Sequence, residues 1–330
     1  MLDLRRRQFI TLLGGAGAAW SLPARAQRAA MPKVGFLYPA SPDTIADRVR
    51  GFRQGLKDVG YVDGENVAIE YRGADGEFDR LPALAAELVR QQVAVIAAGN
   101  LASALAAKAA TTTVPIVFAV GEDPVRFGLV ATLARPGSNL TGINFLNVDV
   151  TTKRLEFLRE LLPGATRVAV LVNATNGPVA ELALGHVAEA ARALGLQIQI
   201  LNASTSREID AAFAALARER PDGLFVSGDA LFTSRRVQVT IAAARHAVPA
   251  TYSQRAFTDV GGLMSYGGNV PEAYRQVGIY IGRILKGAKP ADLPVVQASK
   301  FELVINAQTA RTLGLGVPPP LLALADEVIE

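Results

Sequence analysis

Short apolar runs alternate with amphipathic helical patterns along nearly the whole chain from residue 33 onward. Strands buried on both faces of a parallel sheet form continuous apolar runs, whereas helices packed on such a sheet repeat their apolar residues with a period of about 3.6. The run from Lys33 to Tyr38 is of the first kind, and the segment after it places Ile45, Val49, Phe52 and Leu56 on one helical face. The alternation therefore predicts an α/β protein built on parallel sheets.

The alternation occurs as two successive series. Further strands are predicted at residues 67–71, 93–97, 116–120 and 141–145 in the first series, and at 168–172, 197–201, 224–227, 250–253, 262–266 and 301–305 in the second. The pattern at residues 125–133 fits one more helix. Because the chain has 330 residues, enough for two domains of about 150 residues each, the two series predict two similar lobes.

The first 26 residues have the pattern of an export signal. Three arginines at positions 5–7 precede a short apolar stretch, and Ala24-Arg25-Ala26 fits a cleavage site. The pair Arg6-Arg7 followed by Phe9 resembles a twin-arginine signal, and an ordinary Sec signal remains the alternative. The apolar stretch is about half the ~20 residues of a membrane-spanning helix. We therefore expect cleavage after Ala26, a periplasmic protein and no permanent membrane anchor.

Composition excludes several classes of function. The chain has no cysteine and only two histidines, which excludes disulfide frameworks, thiolate metal sites and multi-histidine metal centres. The formal net charge is +4, and the first 26 residues carry four arginines and one aspartate, so the mature chain is almost neutral. With neither a basic patch nor a recognition motif, we expect no nucleic acid as partner.

The usual catalytic motifs are missing. The chain contains no G-x-S-x-G nucleophile elbow and no G-x-G-x-x-G after the first mature strand. Gly282 and Gly287 have the spacing of a phosphate-binding loop, but Ala288 stands where the lysine belongs. The sequence thus predicts a binding protein and not an enzyme, with no cofactor and no metal.

Polar and aromatic residues at the predicted strand ends form the candidate site. Ligands of open parallel sheets bind beyond the carboxyl ends of the strands, and pockets combine apolar walls with a few polar groups. The candidates are Ser41, Asn100, Ser103, Asp123, Asn144, Asn173, Asp229, Tyr252 and Tyr266. Each has a structural alternative, because Asn, Asp and Ser commonly cap helices and the tyrosines can be half-buried core. Asp123 before Pro124 is typical of a helix N-terminus.

Several stretches carry a family resemblance. They include RRRQFITLLGG, KVGFLYPASPD, FRQGLKDVGYVDGENVAIEYRGADGEFDRLPALAAELV, ALAAKAATTTVPIVFAVGEDPV, GLVATLARPGSNLTGI, SGDALFTSRR, GGLMSYG and KFELVINAQTARTLGL. With these stretches the chain resembles ABC-transporter substrate-binding proteins of the type 1 periplasmic binding fold, in particular the group that includes tryptophan- and tyrosine-type binding proteins.

The resemblance implies two Rossmann-like lobes with parallel sheets, joined by a hinge, with the ligand held in a cleft between them. The implied boundaries are a signal at 1–26, lobe 1 at 27–147 plus 268–290, and lobe 2 at 148–267 plus 291–330. It also implies that lobe closure delivers a small molecule to an ABC permease in the inner membrane. We expect the protein to be a monomer.

For an amino acid or related small carboxylate, the resemblance suggests roles for particular residues. The hydroxyl of Ser41 or Ser103, with N–H groups at a helix N-terminus, would hold the carboxylate. Asp229 would hold the ammonium, while Tyr252, Tyr266 and Phe232 would contact the ligand's side chain. The chain departs from the family at two places. Its turn after the third strand is shorter than the Gly-rich turn common in the family, and it reads Asp229-Ala-Leu-Phe where Asp-Pro-Phe-Phe is common. Both places belong to the expected pocket, so the resemblance does not identify the ligand.

Three other functions remain as alternatives. A periplasmic sensor that signals to a receptor kinase would use the same closure, and permease genes beside this one would favour import. A periplasmic enzyme could use the Asp and Tyr residues as acid and base. A LacI-like repressor shares the fold, but the export signal and the missing helix-turn-helix disfavour it.

Overall fold

The computed structural model describes residues 31–147 and 150–330. The predicted export signal at 1–26, with its cleavage after Ala26, lies outside these residues. Within the part of the chain that the structure describes, none of the helices combines the length and apolar character needed to cross a bilayer.

Two α/β sheets organise the described chain. The strands are β1 (Lys33–Tyr38), β2 (Ala68–Gly73), β3 (Val95–Ala98), β4 (Ile116–Val120), β5 (Leu140–Asn144), β6 (Arg167–Val172), β7 (Gln197–Asn202), β8 (Gly223–Val226), β9 (Ala250–Tyr252), β10 (Met264–Gly268), β11 (Val296–Gln297), β12 (Phe301–Asn306) and β13 (Glu327–Ile329). The first sheet has the order β11-β5-β4-β3-β1-β2 and the second β13-β12-β10-β9-β8-β6-β7. All neighbours run parallel except β10 and β12.

Helices cover the faces of both sheets. They are α1 (Ala46–Asp58), α2 (Leu81–Arg90), α3 (Leu101–Ala110), α4 (Thr151–Leu161), α5 (Gly177–Ala193), α6 (Ser206–Glu219), α7 (Ala230–Ser234), α8 (Arg236–Arg245), α9 (Arg255–Thr258), α10 (Val270–Leu285), α11 (Ala307–Thr312) and α12 (Pro319–Leu324). The order of elements confirms the predicted α/β class with two Rossmann-like lobes.

Each sheet separates two apolar cores, because successive side chains of a strand point to opposite faces. Along β1, Phe36 and Tyr38 belong to the core beneath α1 and α10, whereas Leu37 belongs to the core beneath α2 and α3. In lobe 2, Val170 and Leu171 divide in the same way between two cores. Burial on both faces explains why these strands form continuous apolar runs in the sequence.

The structure corrects two sequence-based predictions, one of a helix and one of a lobe boundary. Residues 125–133 are turns and not a helix, because Gly128 adopts a φ of +67° and ends the single turn that begins at Asp123. The chain also returns to lobe 2 later than residue 290, because β11 pairs with β5 in the first sheet. The predicted strands are otherwise displaced by no more than about two residues.

Helices α1 and α10 pack at backbone distance through glycines. A Cβ on Gly55 would lie 1.8 Å from the carbonyl oxygen of Arg275, and a Cβ on Gly278 would lie 2.3 Å from that of Phe52. Only residues without a side chain permit this approach. Nearer the starts of the two helices, a Cβ on Gly51 would likewise lie 2.3 Å from the carbonyl oxygen of Pro271, so the close approach extends to the first turn of α10.

We expect Gly278→Ala to destabilise the fold by about 3 kcal/mol, because backbone atoms cannot yield to the added methyl group as a flexible side chain would. The matched control is Gly185→Ala in α5, where a Cβ meets nothing within 4 Å. This exposed helical site should gain about 0.5–1 kcal/mol. Chemical denaturation measures both changes in the free energy of unfolding, and equal stability of the two variants would contradict the role of the glycine contact.

Candidate functional site

A cleft lies where the carboxyl ends of strands from both sheets meet. Its lining comes from the loops and helix starts that follow β1, β3, β4, β5, β6, β8 and β9, together with α10. The residues with charged, polar or aromatic side chains are Tyr38, Arg48, Asn100, Glu122, Phe145, Asn147, Asn176, Asp229, Thr233, Gln254 and Tyr274. This position is where open parallel sheets bind ligands.

Among the described residues that line the cleft, Arg48 is the only Lys or Arg. It lies in the first turn of α1 and is buried, with its guanidinium 5.8 Å from the centre of the Tyr38 ring. Its Nη2 donates to Oε1 of Gln254 at 2.5 Å, and its buried Nη1 has no protein partner among the described residues. A cation is disfavoured near a helix N-terminus and in a buried setting. The position therefore suits a cation that pairs with an anionic ligand group.

Asp229 lies on the other lobe, at the start of α7. Its Oδ1 accepts from the backbone N–H of Leu231 at 2.8 Å and from Nδ2 of Asn173 at 3.0 Å, and its Oδ2 accepts from Nδ2 of Asn176 at 2.8 Å. Burial raises the pKa of Asp229, and these three hydrogen bonds oppose the rise. The carboxylate is thus held rigidly at the cleft wall by neutral donors.

Glu122 brings a second carboxyl group into the cleft from lobe 1. Burial raises its pKa from 4.5 to about 7, the N–H groups of Glu122 and Gly121 oppose the rise, and the negative charge of Asp229 adds to it. One oxygen accepts from the N–H of Gly121 at 3.1 Å. The coupling between Glu122 and Asp229 means that two carboxyl groups influence each other across the cleft.

Aromatic rings form the apolar walls on the lobe 1 side. Tyr38 ends β1, Tyr274 lies in the second turn of α10, and Phe145 follows β5. The hydroxyl of Tyr274 donates to the carbonyl oxygen of Gly99, which fixes its ring against the loop after β3. Burial raises the pKa of both tyrosines, so both hydroxyls stay neutral at physiological pH.

The two lobes touch across the cleft. Besides the bond between Arg48 and Gln254, Nη1 of Arg236 in α8 donates to the carbonyl oxygen of Thr44 at 2.9 Å. Val179, in the first turn of α5, joins an apolar core of lobe 1. We call this the closed arrangement, in which groups from both lobes surround one space.

A buried arginine, Arg154, contacts the first crossover between the lobes. Nη2 of Arg154 in α4 donates to the carbonyl oxygen of Asn147 at 3.3 Å, and its guanidinium lies 4.7 Å from the centre of the Phe225 ring. Burial lowers the pKa of Arg154 to about 9, so the group remains charged at neutral pH. The Asn147 side chain in turn packs against Gly228, where a Cβ would lie 1.8 Å from its Nδ2.

Four of the predicted site residues lie at or beside the cleft. Asn100 and Asp229 line it from opposite lobes. Asn173 donates to Asp229 and is buried behind it. Asn144 is buried at the hinge, where its Oδ1 accepts from the N–H of Leu146. Whether any of them touches a ligand remains a prediction.

The other five predicted site residues do not line the cleft. Asp123 is exposed, and its Oδ1 accepts from the backbone N–H groups of Val125 and Arg126. It therefore has the capping role that the sequence analysis gave as the alternative to ligand binding. The remaining four are Ser41, Ser103, Tyr252 and Tyr266.

Tyr252 is the last residue of β9 and Tyr266 is the middle residue of β10, and both side chains pack against a face of the lobe 2 sheet. Tyr252 stacks on Phe257 at 4.6 Å between ring centres, and Tyr266 meets Phe157 edge-on at 5.0 Å. Phe232, also assigned to the ligand, is fully buried in the core. Ser103 is buried within α3, and Ser41, which precedes the short 3-10 helix Pro42–Ile45, is not among the cleft-lining residues.

The nine sequence candidates omit Tyr38, Glu122, Phe145, Asn176 and Thr233, although these line the cleft, and they also omit Arg48, Asn147, Gln254 and Tyr274. A signal was present for Arg48, which lies three residues after Ile45 and four before Phe52. This spacing places a charge on the apolar face of α1. For Asn147, Gln254 and Tyr274 no local pattern distinguishes a cleft residue from an ordinary surface or core residue.

The comparisons with known proteins agree with this architecture. The family model described as ABC transporter substrate binding protein matches residues 33–329. The chain belongs to the ABC transporter substrate-binding protein family. Solved periplasmic binding proteins at under 25% identity share the fold, as the type 1 prediction requires.

Three relatives of this substrate-binding protein are informative. A tyrosine-binding protein of Clostridioides difficile is 28% identical over 267 residues, which is 81% of this chain and 76% of that one. A Streptococcus pneumoniae domain in complex with L-Trp is 26% identical, with a TM-score of 0.81 over 90% of this chain and 99% of that one. A ligand-free, open structure of a Clostridium difficile substrate-binding protein with adhesive properties has the same identity and coverage, with a TM-score of 0.62.

We expect pH to control how the lobes of the ligand-free substrate-binding protein meet. Because burial in the closed arrangement raises the pKa of Glu122 to about 7, protonated Glu122 stabilises that arrangement fully below about pH 4.5, and the contribution is lost as the pH rises through about 7. Small-angle X-ray scattering should give a larger radius of gyration at about pH 8 than at about pH 5.5. Glu122→Gln should show no such change, and superimposable profiles of the unmodified protein at both pH values would contradict the expectation.

Proposed function

We propose that this protein is the exported solute receptor of an ABC importer, which captures an amino acid or related small carboxylate between its lobes and delivers it to the permease. The observation that carries the proposal is the charge pattern of the cleft. Arg48 on lobe 1 and Asp229 on lobe 2 line the same cleft, together with the aromatic rings of lobe 1. A zwitterion with an apolar side chain complements this arrangement.

Arg48 is the proposed partner of the ligand's carboxylate. Its Nη1 is buried without a protein partner among the described residues, while Nη2 is held by Gln254. A guanidinium presents parallel N–H donors that match a carboxylate. Arg48 thus replaces Ser41 and Ser103 in this role, since neither serine lines the cleft.

Asp229 is the proposed partner of the ligand's ammonium. A carboxylate offers about four acceptor sites, and three are used by Leu231, Asn173 and Asn176. The remaining site can accept one N–H from the ligand. Because the two ends of the ligand then bind different lobes, the ligand bridges the cleft.

The rings of Tyr38, Phe145 and Tyr274 are the proposed contacts for the ligand's side chain. Aromatic walls favour aromatic or branched side chains, which gain from burial and ring packing. The relatives support this choice, because one is named a tyrosine-binding protein and another was solved with L-Trp.

Closure of the lobes around the ligand is the proposed mechanism. This chain matches the L-Trp complex with a TM-score of 0.81 and the ligand-free, open structure with 0.62, at the same 26% identity and the same coverage. Since sequence divergence is equal, the difference supports two arrangements of the same lobes. A ligand shifts a protein toward the arrangement in which it makes more contacts.

The proposed place of action is the periplasm. The resemblance of residues 1–26 to an export signal supports it, and delivery to a permease requires the receptor outside the inner membrane. The twin-arginine and Sec routes both fit this proposal.

We expect Arg48→Met and Asp229→Asn each to weaken binding of L-tyrosine or L-tryptophan by about 30-fold or more. Loss of one partner of a buried charge pair costs roughly 2–5 kcal/mol. Asn at 229 keeps an oxygen that can accept from Leu231 and so preserves the cap of α7. Isothermal titration calorimetry measures the affinities, with Asp123→Asn as the control outside the cleft. Unchanged affinity in both cleft variants would remove these residues from the ligand site.

We expect saturation with the same ligand at about pH 8 to reduce the radius of gyration in solution. The physical reason is that a ligand bound to both lobes stabilises the closed arrangement. Small-angle X-ray scattering with and without ligand tests this. Tight binding without any compaction would refute closure while leaving solute capture intact.

A further inference from the structure

Among the described residues, two carboxyl groups face the cleft from opposite lobes, but only one guanidinium does. Glu122 belongs to lobe 1 and Asp229 to lobe 2, and Arg48 is the cation among the lining residues. With both carboxyl groups ionised, the closed cleft holds an excess negative charge in a buried space. Such a space strongly favours a compensating positive charge.

The two carboxyl groups differ in their free hydrogen-bonding capacity. Asp229 accepts three N–H groups and has about one acceptor site left. Glu122 accepts from the backbone N–H of Gly121, and among the described residues no side chain donates to it. An ammonium group carries three N–H donors. Asp229 by itself therefore leaves an ammonium incompletely satisfied, and Glu122 has the spare acceptors.

We infer that Glu122 is a second acceptor for the ligand's ammonium, opposite Asp229, so that capture of the ligand displaces a proton from Glu122 to the solvent. This inference rests on the proposed function. The ammonium would lie between two carboxylates, one from each lobe. It would remove their mutual repulsion and join the lobes at the same time.

The two tyrosines and the arginine around Glu122 keep their charge states across the relevant pH range. Tyr38 at the end of β1 and Tyr274 on α10 have raised pKa values and stay neutral. Arg48 on α1 stays protonated, and Asp229 faces Glu122 from lobe 2. Glu122, with a pKa of about 7, therefore changes charge near neutral pH, while burial also raises the pKa of Asp229. A proton and a ligand ammonium compete for the same carboxylate.

The inference specifies a substrate class. Ligands with a primary ammonium should bind more tightly as the pH rises through about 7, whether or not they carry a carboxylate. Carboxylates without an ammonium should bind more weakly as the pH rises, because they meet a second ionised carboxylate. Discrimination against acids that lack an amino group is the expected role of Glu122.

Isothermal titration calorimetry with L-tyrosine, tyramine and 3-(4-hydroxyphenyl)propionate tests the inference at about pH 5.5 and 7.5. The affinity for L-tyrosine should rise about tenfold or more over this interval, since binding that requires an ionised group gains about tenfold per pH unit below the pKa of that group. Buffers of different ionisation enthalpy should show close to one proton released per ligand at about pH 6. Tyramine should follow the same trend and the propionate the opposite one.

The variant Glu122→Gln, with Asp123→Asn as the adjacent control, completes the design. Glu122→Gln should bind L-tyrosine about tenfold more weakly at pH 7.5 and release no proton, whereas Asp123→Asn should behave like the unmodified protein. Equal affinity at both pH values, or proton uptake in the unmodified protein, would overturn the role of Glu122 and leave amino acid capture standing. If no amino acid binds the unmodified protein at either pH, the proposed function itself fails.

Discussion

The backbone contact between α1 and α10 is the constraint on which the geometry of the cleft depends. Gly55 and Gly278 let the helices approach until backbone atoms meet. Both helices begin at the cleft, and their first two turns carry Arg48 and Tyr274. Since α10 follows a crossover from lobe 2, the same contact anchors the hinge to the core of lobe 1. This one contact between helices thus positions the charge of Arg48, the ring of Tyr274 and a connection between the lobes.

The chemistry of the cleft follows from burial of charged groups with incomplete pairing. Arg48, Glu122 and Asp229 are all buried, although ionised groups are costly to remove from water. Arg48 has a buried donor without a protein partner, and burial raises the pKa of Glu122 to about 7. A core built only for stability would pair these charges or replace them with apolar residues. Their positions are instead suited to a ligand that carries the complementary charges.

The sequence signals for strands were more reliable than those for cleft residues. The apolar runs predicted the strands because burial on both faces demands such runs. The strand-end rule identified Asn100 and Asp229, which do line the cleft, but it also selected Tyr252 and Tyr266. Tyr252 ends β9 and Tyr266 lies in the middle of β10, and both pack into lobe 2, whereas Gln254, two residues beyond β9, faces the cleft. A displacement of two residues along a strand end separates a core residue from a cleft residue.

The sequence by itself determined the α/β class, the two lobes and the edge of each sheet at which a ligand site forms, because strand periodicity and burial are local properties of a chain. Tertiary structure decided which side chains share the cleft. Arg48 and Gln254 are separated by 206 positions and form one hydrogen bond, and Glu122 shares a cleft with Asp229 only because loops of the two lobes lie against each other. The pKa of Glu122 depends on the same contact, since desolvation and like charge arise from groups that sequence proximity does not reveal.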